Sequence, residues 1–204
     1  MTQKRVMDHV RGRWLSYLIA IVTFVTGTIA GAVAVKAMPL EQQQDLMGYL
    51  NKYIDGILVG NVQPAAWQSV LSANLQLVGL LWICGLAVVG VVGILVVLFL
   101  RGFIIGFSVG FLVTEMGTRA ILFAAASVLP HNLLAVPLLI ASGALGIAFS
   151  LRMAFGQKTR GSRDPHPVVP YSLSALVVAC LMFVPSLLEA FVTPVFIKAV
   201  VNLF

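Results

Sequence analysis

Residues 75–100 read LQLVGLLWICGLAVVGVVGILVVLFL, a run of 26 residues without a charged side chain. A helix of that length rises about 39 Å, which exceeds the roughly 30 Å hydrocarbon core of a bilayer. Within hydrocarbon, a helix satisfies all of its own backbone hydrogen bonds. The run therefore predicts a membrane-spanning helix.

The rest of the chain has the same apolar character. Of its 204 residues, 60% are hydrophobic and 10% are charged, and the mean hydropathy is +1.01. Soluble domains are about a quarter charged, and a soluble fold of this size could not bury so much apolar surface. We therefore predict an all-α integral membrane protein with a single membrane domain over residues 1–204. Its five predicted spans cover about 14–35, 75–100, 102–125, 131–151 and 171–193.

The basic residues indicate how the spans are oriented. Most of them precede the first span or follow the fourth: Lys4, Arg5, Arg11, Arg13, Arg152, Lys158, Arg160 and Arg163. Cytoplasmic loops are rich in Lys and Arg, so we expect both regions on the cytoplasmic side, and Arg101 between the second and third spans on the same side. The N-terminus is then cytoplasmic and the C-terminus extracytoplasmic. Since topology accounts for the net charge of +6, we expect no nucleic-acid binding. The first apolar run is too long for a signal peptide, and we expect an uncleaved helix.

The segment after the first span carries apolar residues at helical spacing, among them Leu46, Leu50 and Ile54. This spacing predicts an amphipathic helix at about 40–59, on the extracytoplasmic side. Such a helix can lie on the outer leaflet, pack on the spans or dock a partner. The exposed anchors for a partner would be Tyr49, Tyr53 and Ile57.

Two stripes of glycines lie four residues apart within predicted spans, and they comprise Gly27, Gly31, Gly102, Gly106 and Gly110. Small residues at this spacing let helix backbones approach closely. The pattern has two interpretations, helix packing within one subunit or a homodimer interface.

A few ionisable residues interrupt the apolar regions, and such groups are costly at membrane depth and often functional. Glu115 and Arg119 are four residues apart, so they either pair on one helix face or lie in a short loop at the outer interface. His131 can form hydrogen bonds within the bundle, line a cavity or face water. Glu189 is predicted near the outer interface. It either has a structural partner such as Arg119 or a backbone group, or it contacts an extracytoplasmic partner or a transported solute.

Catalytic motifs are weak. Ser108 lies in GFSVG at 106–110, which matches G-x-S-x-G, but that motif needs a strand–turn–helix elbow and here lies in an apolar run. We find no phosphate-binding loop and no metal-ligand spacing, and Cys84 and Cys180 lie in apolar runs as expected of buried thiols. We therefore predict neither an enzyme, a bound metal nor a cofactor.

Several segments, in order along nearly the whole chain, resemble the stage II sporulation protein M family. They are GAVAVKA at 31–37, EQQQDL at 41–46, RGFIIGFSVGFL at 101–112, SVLPHNL at 127–133 and LEAFVTP at 188–194. The resemblance implies a protein of the mother-cell membrane at the sporulation septum, in complex with stage II sporulation proteins P and D, which are peptidoglycan hydrolases. Within that complex it implies a scaffold that recruits and localises the enzymes during forespore engulfment.

Two other functions stay open on the sequence. The broken apolar region at 102–150, with its ionisable residues, is compatible with a small-solute transporter or a channel component. An intramembrane hydrolase would require a base within hydrogen-bond reach of Ser108.

Overall fold

The computed structural model describes residues 14–59, 67–87, 89–116, 118–154, 168–193 and 195–196. Every regular element in those ranges is helical. Five segments are long and apolar enough to cross a membrane, and they are Trp14–Ala37, Trp67–Leu86, Gly90–Thr114, Pro130–Ala154 and Val168–Val192. The prediction of an all-α membrane protein with five spanning helices is confirmed.

The helices in chain order are α1 Trp14–Ala34, α2 Leu40–Val59, α3 Trp67–Leu86, α4 Gly90–Met116, α5 Thr118–Ala154, α6 Val168–Leu181 and α7 Phe183–Leu187. A 3₁₀ turn, Val35–Ala37, extends α1, and a π-helical segment, Leu188–Val192, follows α7. The last span therefore consists of α6, α7 and the π-helical segment. The last span packs against α3 and α5. The fully buried side chains of the bundle include Leu81, Ile94, Leu98, Leu139, Ile147 and Met182.

The glycine stripes lie at the contact between α1 and α4. A Cβ at Gly31 would overlap the carbonyl oxygen of Phe103, and one at Gly106 would overlap that of Thr28. Gly27 and Gly102 face the backbone of the opposite helix in the same way. Since the absence of side chains lets the two backbones touch, these glycines serve a helix contact within one chain.

The second and third spans differ from the sequence prediction. The predicted boundary near residue 101 is wrong, because the chain turns between Leu86 and Gly90. Hydrogen bonds from Ala87 N to Cys84 O (3.1 Å) and from Gly90 N to Ala87 O (3.0 Å) form this turn. A side chain at Gly90 would overlap the Cys84 carbonyl, so glycine permits the tight approach. The turn residues are apolar, and hydropathy alone cannot distinguish such a turn from a continuing helix.

The boundaries of the third and fourth spans also move. α4 ends at Met116 and α5 begins at Thr118, so residues 118–125 belong to α5 and not to the third span. α5 is 37 residues long and continues through Pro130 and Pro137, whereas the sequence predicts a fourth span that begins at about residue 131. Membrane helices tolerate internal proline when the freed backbone groups find other partners.

Candidate functional site

Arg101 lies inside the third span, where the sequence analysis did not place it. At about 1.5 Å per residue, it is roughly 17 Å from Gly90 and roughly 20 Å from Thr114 along α4. The Nε atom of its guanidinium group is buried, with no hydrogen-bond partner in the part of the chain that the structure describes. An arginine at this depth requires charge compensation from the protein.

His131 and Glu189 lie close together on two other helical segments. The distance between His131 Nε2 on α5 and Glu189 Oε2 on the π-helical segment is 3.8 Å. The His131 side chain is 11% exposed and the Glu189 side chain is 34% exposed. His131 Nδ1 is buried and, among the described residues, has no hydrogen-bond partner. Glu189 thus connects a buried imidazole to the edge of the bundle.

Arg101, His131 and Glu189 form one electrostatic unit, which we call the polar cluster. The carboxylate of Glu189 is close enough to favour the charged forms of both Arg101 and His131, and Arg101 disfavours a proton on His131. Among the described residues, the ion-pair contact within 4 Å is the one between His131 and Glu189. The helices α1, α3, α6 and α7 contain no Asp, Glu, Lys, Arg or His within their bounds. The polar cluster is therefore surrounded by helices without charge, where the effective dielectric constant is low and pairing matters most.

Glu115 and Arg119 have a different arrangement from a helix-face pair. Glu115 lies near the end of α4 and Arg119 near the start of α5, so the spacing of four residues within one helix does not apply to them. Their side chains lie outside the described part of the structure, and their pairing stays a prediction.

Ser108 lies in the interior of α4, and its Oγ donates a hydrogen bond to Ile104 O of the same helix at 2.9 Å. The backbone around it is helical, whereas a nucleophile elbow requires a turn from strand to helix. The structure gives the GFSVG segment no such geometry.

Polar contacts that the sequence analysis missed hold α3 against the last span. Asn74 Nδ2 donates to Ser186 Oγ at 3.0 Å, and both side chains are buried. Trp82 Nε1 donates to Ser172 Oγ at 3.2 Å, and the Tyr171 hydroxyl donates to Trp82 O at 3.2 Å. No sequence spacing relates these residues, since the partners are about 90 to 112 positions apart.

α2 is the second candidate site, and it covers the residues for which the sequence predicts an amphipathic helix. One face is half-buried and carries Gln43, Leu46, Met47 and Leu50. The opposite side is exposed, and Tyr49 on it is 74% exposed. Asp45, Tyr49 and Lys52 share this face, because residues three and four apart are neighbours on a helix. The side chains of Tyr53 and Ile57 lie outside the described part of the structure.

The fold and the polar cluster define a multi-pass helical membrane protein with an ionisable centre inside its bundle. The profile of the family described as Stage II sporulation protein M matches residues 20–194. The chain belongs to this family, which confirms the resemblance and identifies a sporulation-related membrane protein. Searches of curated proteins and of solved structures gave no significant match.

Proposed function

We propose that the protein is a non-catalytic membrane scaffold, which recruits and localises peptidoglycan hydrolases at the sporulation septum during forespore engulfment. Its partners on this proposal are stage II sporulation proteins P and D. The observation that carries the proposal is the exposed face of α2. Together with membership in a sporulation family, a helix that presents an exposed aromatic side chain supports a docking role.

The proposal requires α2 on the extracytoplasmic side, where cell-wall enzymes act. The segments before α1 and after α5 hold eight of the 13 Lys and Arg residues, if Arg152 at the end of α5 is included. The positive-inside rule favours a cytoplasmic location for both. With five spans, α2 and the C-terminus then lie outside and the turn between Leu86 and Gly90 lies inside. In the sequence analysis, Arg101 serves as a cytoplasmic residue between two spans, and this orientation follows without it.

The exposed face of α2 has the chemistry of a protein-docking surface. Tyr49 offers a large amphipathic side chain with little rotamer entropy, as residues that dominate binding energies often do. Asp45 and Lys52 flank it with one charge of each sign, which favours a specific register over general adhesion.

Substitutions on α2 test the proposal. In sporulating cells, Tyr49→Ala and Lys52→Glu should abolish recruitment of a fluorescent fusion of the hydrolase to the septum. Asn51→Ala is the matched control, because Asn51 is also exposed but points about 160° away from Tyr49 around the helix. Normal recruitment in every substitution around Tyr49 would contradict this docking site.

The polar cluster favours a second candidate function, a small-solute transporter or channel component that uses the 102–150 region. Ionisable groups inside membrane bundles and interrupted helices are typical of transport proteins. Two prolines lie inside α5, and the last span contains a π-helical segment. Arg101→Met separates the two candidates, since a transporter would lose its cellular function with hydrolase recruitment intact. A scaffold with the same substitution, if it folds, would keep its cellular function as well as hydrolase recruitment.

A further inference from the structure

The polar cluster has a charge balance that depends on one proton. When His131 is neutral, the guanidinium of Arg101 and the carboxylate of Glu189 compensate each other, and the net charge is zero. A proton on His131 adds a second positive charge beside Arg101, inside a bundle where uncompensated charge is costly. Histidine is the side chain that changes charge between about pH 5 and pH 8 in ordinary surroundings.

The two ring nitrogens of His131 have different surroundings. Nε2 lies 3.8 Å from a carboxylate oxygen of Glu189, which is longer than a hydrogen bond, but the negative charge favours the neutral tautomer with the hydrogen on Nε2 and the lone pair on Nδ1. Nδ1 is therefore the atom that accepts a further proton. Since Nδ1 has no hydrogen-bond partner among the described residues, the new N–H would be a buried donor without an acceptor, which favours opening to water.

Among the residues that the structure describes, two charged groups influence His131, and the side chain of Glu115 near the end of α4 lies outside that part. The electrostatic partners that face it are Glu189 from the π-helical segment and Arg101 from α4. The other packed helices, α1, α3, α6 and α7, contribute no Asp, Glu, Lys, Arg or His, and their Tyr17, Cys84, Tyr171 and Cys180 are not among the groups that interact with it. On α5 itself, Arg119 and Arg152 lie near the two ends.

The element that carries Glu189 is irregular, unlike the α-helical remainder of the last span. Leu188–Val192 is π-helical, a rare conformation that occurs mostly as single turns inside α-helices and is frequent at functional sites. It packs against α3 and α5, and Ala190 within it is 1% exposed. The hydrogen bond between Asn74 and Ser186 holds α7, just before this segment, to α3.

We propose that the polar cluster is a proton-binding site in which proton uptake at His131 Nδ1 releases the π-helical segment Leu188–Val192 from α5. The proton enters past Glu189, the more exposed member of the pair. At neutral pH the cluster is closed and electrically balanced. At acidic pH the second positive charge opens the cluster, and water reaches the segment. This site is separate from the exposed face of α2, and its function does not depend on a docked partner.

Cysteine labelling of the full chain in lipid nanodiscs tests the proposal. In a Cys84→Ala, Cys180→Ala background, Ala190→Cys reports opening, and Gln44→Cys, an exposed position on α2 outside the spans, is the matched control for reagent and thiol chemistry. The ratio of the two methanethiosulfonate labelling rates should rise by about tenfold between about pH 7.5 and about pH 4.5, a range that extends below that of an ordinary histidine because the second positive charge opposes proton uptake. His131→Gln should keep the ratio at its neutral-pH value throughout, whereas His166→Gln should preserve the rise.

A ratio that does not change with pH, or the same rise in His131→Gln, would overturn the proposal. Glu189→Gln should give a high labelling ratio at both pH values, because Arg101 then lacks its counter-charge. A ratio at neutral pH as low as that measured without Glu189→Gln would count against the charge balance. Hydrogen–deuterium exchange of the unsubstituted protein gives a second test if His131→Gln does not fold. Corrected for the intrinsic pH dependence, exchange in Leu188–Val192 should increase at acidic pH relative to α3, and equal behaviour of the two would also overturn it.

Discussion

Gly106 lies where α4 crosses α1, and alanine at this position places a methyl group against the backbone of Thr28. The added Cβ would overlap the Thr28 carbonyl oxygen and lie 2.8 Å from the Thr28 Cα, whereas ordinary contacts are 3.4–4 Å. Backbone atoms cannot rotate away as a side chain can. The two helices must therefore separate by roughly 0.6 Å or more at this point, because packed interiors do not absorb an extra carbon.

The separation has a cost that can be estimated. Overpacking by a methyl group in a tight contact costs about 1–3 kcal/mol. Gly102 and Gly110 lie one turn away on either side and also face α1, so their van der Waals contacts weaken when the helices move apart. We therefore expect Gly106→Ala to lower the free energy of unfolding by about 2–3 kcal/mol.

Unfolding in mixed micelles, titrated with SDS and followed by circular dichroism, measures this difference. Gly79→Ala is the matched control, since no atom lies within 4 Å of a Cβ at Gly79 and alanine is the better helix former. It should leave stability unchanged or slightly raised. Equal stability of Gly106→Ala and Gly79→Ala would refute the close α1–α4 contact.

Two further predictions concern polar groups inside the bundle. Asn74→Ala removes the buried hydrogen bond to Ser186 and should lower the free energy of unfolding by about 0.5–2 kcal/mol. The control is Ser72→Ala, whose hydroxyl bonds within its own helix and whose loss should not change stability in the same unfolding assay. An equal loss in both variants would contradict the contact between Asn74 and Ser186. Arg101→Met leaves the carboxylate of Glu189 uncompensated and should cost about 1–3 kcal/mol. Adding Glu189→Gln should recover part of that loss, and strictly additive losses in this double-mutant cycle would show that the two side chains do not interact.

The parts of the fold that could be predicted from the sequence depend on local pattern. Apolar runs as long as a bilayer is thick predict the number of spanning helices, because lipid-exposed backbone must be helical, but they misplace the bounds of the second and third spans. The period of 3.6 residues at Leu46, Leu50 and Ile54 predicts α2 for the same kind of reason. The glycine stripes predict close helix contact but not which helices meet, since the spacing is the same for a partner within the chain or outside it.

The remaining features depend on contacts that local pattern does not encode. The turn between Leu86 and Gly90 is apolar, so a hydropathy pattern does not reveal it. Without that turn, the charged side chain of Arg101 is the feature that indicates a boundary between two spans, and the boundary is misplaced. Once that turn is located, Arg101 belongs to the interior of α4, and it can be grouped with the other ionisable residues of the bundle as the polar cluster. Glu189 and His131 could be singled out as costly groups, but their mutual approach is a tertiary contact over nearly sixty residues.

Affinity purification of the tagged protein from membranes of sporulating cells, in mild detergent, tests the scaffold function most directly. We expect an extracytoplasmic peptidoglycan hydrolase, identified by mass spectrometry, to co-purify with the unsubstituted protein and with Asn51→Ala. The same hydrolase should be lost with Tyr49→Ala and Lys52→Glu. Recovery of the protein alone, or together with a cytoplasmic ATPase, would contradict the scaffold and favour transport through the region of the polar cluster.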